Sequence, residues 1–164
     1  TIATYTQSVG ISLKQYSFLW TINGVLILAG QPLIAPFINR FKEKLKLQMF
    51  IGLTIFILSY VITSFAEQFT MFVVGMVILT FGEMFVWPAV PAIANKLAPK
   101  GRMGAYQGIV NASSTIGKAF GPVIGGVIVD MFDMKMMFYS MILLILIGYY
   151  FLYIYDRGIS KQDT

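Results

Sequence analysis

Residues 137–155 read MFYSMILLILIGYYFLYIY, nineteen consecutive positions without a charged side chain. A helix needs roughly 20 apolar residues to cross the hydrocarbon core of a bilayer, which is about 30 Å thick. The stretch lacks the polar face that recurs every three or four residues in a water-soluble helix. It also lacks the strict alternation of a membrane β-strand. We therefore interpret it as a membrane-spanning α-helix.

Four further stretches of the chain meet the same criterion. The five predicted spans cover about residues 18–38, 49–65, 69–97, 104–131 and 136–155. The composition agrees, since 57% of the residues are hydrophobic and 12% are charged. Soluble domains contain about 25% charged residues, so this chain has roughly half of the charge that a water-facing surface carries. The predicted fold class is an all-α integral membrane protein with five transmembrane helices.

The sequence contains no Cys and no His. It can therefore form neither a disulfide framework nor a thiolate metal site, and it lacks the commonest general base and metal ligand. We expect no metal, no cofactor and no enzymatic activity. The net charge of +5 would suit either nucleic acid or a membrane surface, so the positions of the charges decide between them.

Basic residues are concentrated on one side of the predicted membrane. Nine Lys and Arg residues lie in or beside the loops after the first and third spans or in the C-terminal tail, against two on the opposite side. Loops rich in Lys and Arg remain cytoplasmic. We therefore expect a multi-pass protein of the plasma membrane, with the N-terminus of the chain outside and its C-terminus in the cytoplasm. The basic residues would contact anionic lipid, and no nucleic acid is expected as a partner.

Two charged residues fall near the middle of predicted spans, Glu83 in the third and Lys118 in the fourth. A charge at the membrane centre costs about 2.5–3.5 kcal/mol even on insertion scales. Because the two helices are consecutive and antiparallel, both charges are expected at nearly the same depth. One interpretation is structural: a salt bridge, or two separately satisfied groups, fixes helix packing. The other is functional: Glu83 exchanges a proton or contacts a cationic substrate, under the electrostatic influence of Lys118.

Further polar and aromatic side chains extend this candidate pathway. Trp87 follows Glu83 by one helical turn, and aromatic ring faces attract cations. The first span contributes two polar residues and the fourth span a polar stripe. The candidates for a substrate or proton pathway are Glu83, Lys118, Asn23, Gln31, Trp87 and Asn111.

Residues 108–126 in the fourth span read GIVNASSTIGKAFGPVIGG. Small residues recur at spacings of four from Ser113 to Gly125 and form a face on which another helix can pack closely. A proline within the same segment removes one backbone hydrogen bond and weakens the helix locally. The residues of this glycine motif are Gly108, Gly117, Gly121, Pro122, Gly125 and Gly126.

The glycine motif resembles the antiporter motif of the major facilitator superfamily, as it occurs in drug:proton antiporters. Gly82-Glu83, followed by Pro88 and by Leu97-Ala98-Pro99, is similar to the tenth helix and the following loop of bacterial drug-efflux members. The segment from Ala35 to Lys44 resembles a degenerate copy of the family's cytoplasmic motif, with Ala35 and Asn39 in place of its usual Gly and Asp. This resemblance suggests a cytoplasmic gating loop with Asn39, Arg40, Lys42 and Lys44.

The resemblance covers nearly the whole chain and implies a twelve-helix transporter with alternating access. Residues 1–164 would form part of its C-terminal six-helix bundle, as the eighth to twelfth helices. The implied partners are membrane lipid, the missing N-terminal half, a small-molecule substrate and protons.

The implied function is proton-coupled efflux of lipophilic or cationic small molecules, of the multidrug type. Proton-coupled peptide import and lipid flipping remain alternatives within the superfamily. The alternative from another class is a membrane interaction module that transports nothing.

Overall fold

The computed structural model of the protein describes residues 12–39 and 44–154, with all their side chains except those of residues 13, 16 and 39. Within these ranges the chain forms α1 (Leu13–Asn39), α2 (Leu45–Ser64), α3 (Phe69–Leu97), α4 (Met103–Met131) and α5 (Met134–Ile154). Each helix contains a segment long and apolar enough to cross a bilayer. A helix satisfies its own backbone hydrogen bonds, as the hydrocarbon core requires. The predicted all-α membrane fold with five spanning helices is confirmed.

Helix α2 begins at Leu45, four residues before the apolar stretch seen in the sequence. The Nζ of Lys46 donates a 3.0 Å hydrogen bond to the carbonyl of Tyr153 and lies 5.5 Å from the centre of its ring. Gln48 is buried, and its Nε2 donates a 2.8 Å bond to the carbonyl of Phe85. Polar side chains with partners on neighbouring helices thus occupy the first turn of α2.

The tightest helix pair is α2 with α3, which approach each other at glycines. A Cβ built on Gly52 would lie 3.2 Å from the carbonyl oxygen of Gly82, and one built on Gly82 would lie 3.2 Å from that of Gly52. Further along the pair, the Oγ of Ser59 donates a 2.8 Å hydrogen bond to the carbonyl of Gly75. Small residues let helix backbones approach closely within a membrane. This contact forms the centre of the bundle.

Helices α5 and α1 flank this central pair. On the α5 side, the hydroxyl of Tyr149 donates a 2.8 Å hydrogen bond to the carbonyl of Phe50 and also contacts the hydroxyl of Thr54. On the α1 side, the rings of Phe37 and Phe85 meet edge to face, with centroids 6.2 Å apart. These contacts place α1 against α3 and α5 against α2.

Helix α4 is covered least, and Gly125 is its one buried residue. Near the start of the helix, the Nε2 of Gln107 donates 2.8 Å hydrogen bonds to the carbonyl of Pro91 and to the Oδ1 of Asn95. Near its other end, α4 approaches Met137 of α5. Most of the remaining surface of α4 is open.

The connection from α3 to α4 contains a tight turn. The backbone N–H of Arg102 donates a 3.0 Å hydrogen bond to the carbonyl of Pro99, and Gly101 has φ +84°. A positive φ is accessible to glycine without the steric penalty that a Cβ brings. Gly101 therefore allows α4 to start close to the end of α3.

Candidate functional site

Glu83 lies in the middle of α3, 14 residues after its first residue, Phe69. At 1.5 Å per residue this is a depth of about 21 Å along the helix. The Nδ2 of Asn23 on α1 donates a 2.7 Å hydrogen bond to the Oε2 of Glu83 and a 2.9 Å bond to the Oγ1 of Thr80. Thr80 in turn donates to the carbonyl of Met76 at 2.8 Å. The amide of Asn23 therefore uses both of its hydrogens to join α1 to α3 at mid-depth.

These three side chains differ in their access to the surroundings. Thr80 is fully buried and Asn23 is 9% exposed, whereas Glu83 retains partial exposure. An amide N–H can donate to a carboxylate and also to the carbonyl oxygen of a carboxylic acid. The arrangement is therefore compatible with both the protonated and the ionised form of Glu83.

Lys118 does not pair with Glu83. Its Nζ lies 5.8 Å from the centre of the Trp87 ring, within the range of a cation–π interaction. Within the part of the chain that the structure describes, no salt bridge links Glu83 to a basic side chain. Of the two structural interpretations, the structure thus shows separately satisfied groups. Lys118 is exposed, and Trp87 is 51% exposed.

The other two pathway candidates stand apart from this group. Asn111 is exposed on α4, seven residues before Lys118. Gln31 is exposed on α1, eight residues after Asn23. The structure therefore brings together Asn23, Glu83, Trp87 and Lys118 and leaves Gln31 and Asn111 at a distance along their helices.

Most of the glycine motif has no neighbour. A Cβ would meet no atom of another residue within 4 Å at Gly108, Gly117, Gly121 and Gly126. At Gly125 it would meet only the sulfur of Met137, at 3.6 Å, and Pro122 is exposed. The small-residue face predicted from the sequence is present, but among the described residues only α5 touches it, through Met137 at Gly125.

An apolar cavity of about 340 Å³ separates part of this motif from the central pair of helices. Gly121 and Gly125 line it from α4, and methionines of α5 line it from the opposite side. The hydroxyls of Ser59 and Thr63 also border the cavity, but both donate 2.8 Å hydrogen bonds to backbone carbonyls. The cavity was not predicted, although the methionines at 134, 137 and 141, which line it, are a sequence signal for an irregular, adaptable lining.

Two side-chain amides that donate to backbone carbonyls near the prolines of α3 are not evident from the apolar pattern. Pro88 and Pro91 lack an N–H and disturb the preceding turn of the helix. Near them, Gln48 donates to the carbonyl of Phe85 and Gln107 donates to that of Pro91. Helix α3 remains continuous through both prolines. Glutamines in or beside apolar spans require partners, which is the signal that could have identified them.

The predicted gating loop lies largely outside the described residues. Arg40 and Lys42 are not among them, and Asn39 ends α1 with a side chain that is not described. Lys44 is exposed immediately before α2. The gating role of these residues therefore stays a prediction.

Comparison with known proteins places the chain among membrane transporters. A family model described as Major Facilitator Superfamily matches residues 1–163. The uncharacterized MFS-type transporter YttB of Bacillus subtilis strain 168 is 53% identical over 165 residues, which cover 100% of this chain and 42% of that protein. The uncharacterized MFS-type transporter MJ1560 of Methanocaldococcus jannaschii is 46% identical over 55 residues, which cover 34% of this chain and 14% of that protein. The chain thus spans less than half the length of these relatives. No solved structure matches it significantly.

Proposed function

The chain belongs to the major facilitator superfamily, and on that premise we propose that the protein containing it is a proton-coupled secondary transporter that exports lipophilic or cationic small molecules. The multi-pass helical fold and the transporter relatives support a transport role and not an enzymatic one. The observation that carries the finer proposal is Glu83, an acid at mid-depth whose partner is the neutral amide of Asn23.

Glu83 is suited to carrying a proton. Ionisable residues inside the membrane are costly and typically mark ion, proton or substrate pathways. Since Asn23 donates to either form of the carboxyl group, gain or loss of a proton leaves the contact between α1 and α3 in place. The ionised form attracts a cation, and the ring of Trp87, one turn away, does so as well. Proton and cation would therefore compete for one site, which is the requirement for exchange of one against the other.

The open surface of α4 supports docking against another part of the same transporter. The match covers 42% of the Bacillus relative. More than half of that relative therefore has no counterpart in this chain. The chain would supply part of the C-terminal half, and the strip of α4 that contains the exposed Gly108 would pack against the N-terminal half. Small-residue faces of this kind allow two helices to approach closely and to slide.

The proposed location is the plasma membrane. The bias of Lys and Arg supports an orientation with the N-terminus of the chain outside and its C-terminus in the cytoplasm. Helix α3 then runs inward and α4 outward. Glu83 and Lys118 would then lie near the midplane, within reach of a substrate cavity that opens alternately to either side.

The test is flux driven by a proton gradient, measured in proteoliposomes with the full-length protein and its Glu83→Gln variant. Glutamine keeps the shape of the side chain and the hydrogen bond from Asn23 but cannot exchange a proton. We expect gradient-driven efflux of a lipophilic cation to be lost in Glu83→Gln, at least tenfold below wild type, with thermal unfolding unchanged. Glu67→Gln is the matched control, since Glu67 is an exposed acid of the loop before α3. Undiminished flux in Glu83→Gln would reject Glu83 as the coupling residue.

A further inference from the structure

Lys118 already lies over the aromatic ring of the candidate site, a surface that attracts cations. Its ammonium group lies 5.8 Å from the centre of the Trp87 ring. We propose that Lys118 is a resident cation, which occupies this ring in the absence of substrate and which a lipophilic organic cation displaces. The inference rests on the proposed function and adds to it a residue that determines substrate affinity and selectivity.

The surroundings of Lys118 explain why it lies over the ring. It sits near the middle of α4, 13 residues before Met131, where an ammonium group is costly without a partner. No carboxylate among the described residues forms a salt bridge with it. The electron-rich face of Trp87 is the favourable partner that the structure offers.

Displacement of Lys118 is mechanically simple. The side chain is exposed, and a cation–π contact to a half-exposed ring is among the weaker interactions that hold a charge. The flexible four-carbon stem of lysine lets the ammonium group move several ångströms without movement of α4. The contact with Trp87 can therefore break while the helices stay in place.

Coulomb repulsion makes the occupation of the ring exclusive. Two unit positive charges within about 6 Å of each other repel strongly at the effective dielectric of a protein site. A substrate cation at Trp87 and the ammonium group of Lys118 over the same ring are therefore alternatives. A bound cation gains the Trp87 ring only when Lys118 has moved away.

The same residues argue against an anionic substrate. Lys118 by itself would attract an anion. Glu83 lies one helical turn from Trp87 and repels an anion when it is ionised. The face of the indole ring likewise attracts cations and not anions. Glu83 and Trp87 therefore both favour a positively charged ligand. Lys118 competes with that ligand for the Trp87 ring.

The experiment compares tetraphenylphosphonium and tetraphenylborate, which have the same shape and opposite charge. Equilibrium binding of each probe is measured to the full-length protein in lipid nanodiscs, for wild type, Lys118→Gln, Lys118→Arg, Glu83→Gln and the control Lys135→Gln. Lys135 is an exposed residue at the start of α5, far from Trp87 along the fold. Folding of every variant is checked by thermal unfolding.

We expect Lys118→Gln to bind tetraphenylphosphonium about tenfold more tightly than wild type, which corresponds to about 1.4 kcal/mol. Lys118→Arg should bind it no more tightly than wild type, because arginine also stacks on the indole ring. Lys135→Gln should equal wild type. In a Trp87→Leu background, Lys118→Gln should no longer increase the affinity for tetraphenylphosphonium, because the indole ring for which lysine and ligand compete is absent.

Three results would overturn the proposal. Unchanged or weaker binding of tetraphenylphosphonium to Lys118→Gln, with wild-type binding that depends on Glu83, would reject the resident cation and leave the proposed function standing. A loss of tetraphenylborate binding in Lys118→Gln, without a gain for the cation, would assign the site to anions. Failure of wild type and Lys118→Gln alike to bind the cation would reject both the inference and the proposed function.

Discussion

Replacement of Gly52 by alanine tests the central contact between α2 and α3. A Cβ at this position would lie 2.5 Å from the Cγ2 of Val86, 3.2 Å from the carbonyl oxygen of Gly82 and 3.2 Å from the Cβ of Phe85. None of these three atoms is the far end of a flexible side chain. Valine has one strongly preferred rotamer in a helix, so its methyl group cannot simply rotate away. The two helices would have to separate.

The expected loss of unfolding free energy is obtained by comparison with a glycine at which an added Cβ meets no neighbouring atom. Overpacking of a tight interior typically costs about 1–3 kcal/mol. Replacing glycine with alanine inside a helix also gains up to about 1 kcal/mol of helix propensity. Gly148 of α5 is the matched control, because a Cβ there meets no atom within 4 Å. Since the propensity gain is common to both positions, Gly52→Ala should be about 1–3 kcal/mol less stable than Gly148→Ala.

The assay is reversible unfolding of the full-length protein in mixed micelles, followed by tryptophan fluorescence and by circular dichroism. The free energy of unfolding is compared between Gly52→Ala and Gly148→Ala under identical conditions. If Gly52→Ala were as stable as Gly148→Ala, the backbones of α2 and α3 would not approach each other at Gly52. The glycine contact would then be rejected as the centre of the bundle.

Three further predictions concern individual contacts, each compared with wild type by the free energy of unfolding. Asn23→Leu should cost about 1–3 kcal/mol, because the carboxyl group of Glu83 and a buried hydroxyl lose their shared donor; an unchanged stability would mean that this donor is dispensable. Tyr149→Phe should cost about 0.6 kcal/mol, the average for hydrogen bonds between membrane helices, and a loss several times larger would contradict a role confined to hydrogen bonding. Gly101→Ala should cost about 1–2 kcal/mol, because alanine is strained at φ +84°, and Gly104→Ala, at a glycine without a nearby neighbour, serves as its control.

The positions of the spans could be predicted because they depend on local properties of the chain. The apolar stretch that ends at Leu97, for example, coincides with the end of α3, where Ala98 leaves the helical conformation before Pro99. The position of Glu83 in the middle of α3 followed from the same counting of residues. Length and composition of a segment are sufficient for both inferences.

The partner of Glu83 could not be predicted in the same way. Depth alone favours Lys118, because Asn23 lies only about five residues into the predicted first span. The choice depends on how α1 and α4 are rotated about their axes, which is set by contacts distant in sequence such as Phe37 with Phe85. In the structure, Asn23 points at α3 and takes the carboxyl group, while Lys118 meets Trp87.

Glycine spacing was a partial guide to helix packing. The motif of α4 has the more conspicuous pattern, yet the close backbone contacts occur at Gly75 and Gly82 of α3. These two glycines are seven residues apart, which places them on one face of a helix. The pattern thus indicates where a close approach is possible, whereas the location of a partner helix decides where it occurs.

The rotation of α4 further divides its glycine motif between two surroundings. Gly121 and Gly125 line the cavity inside the bundle, whereas Gly108 is exposed on a different side of the helix, more than 90° away at 100° per residue. Bulky apolar side chains lie next to Gly108 on the exposed surface, with Ile109 65% and Ile116 58% exposed. Large apolar side chains suit lipid, and small ones suit a closely packed helix. Under the proposed function, a docking half should therefore meet α4 along the strip that contains Gly108, and substitutions at Gly121 should act through the cavity.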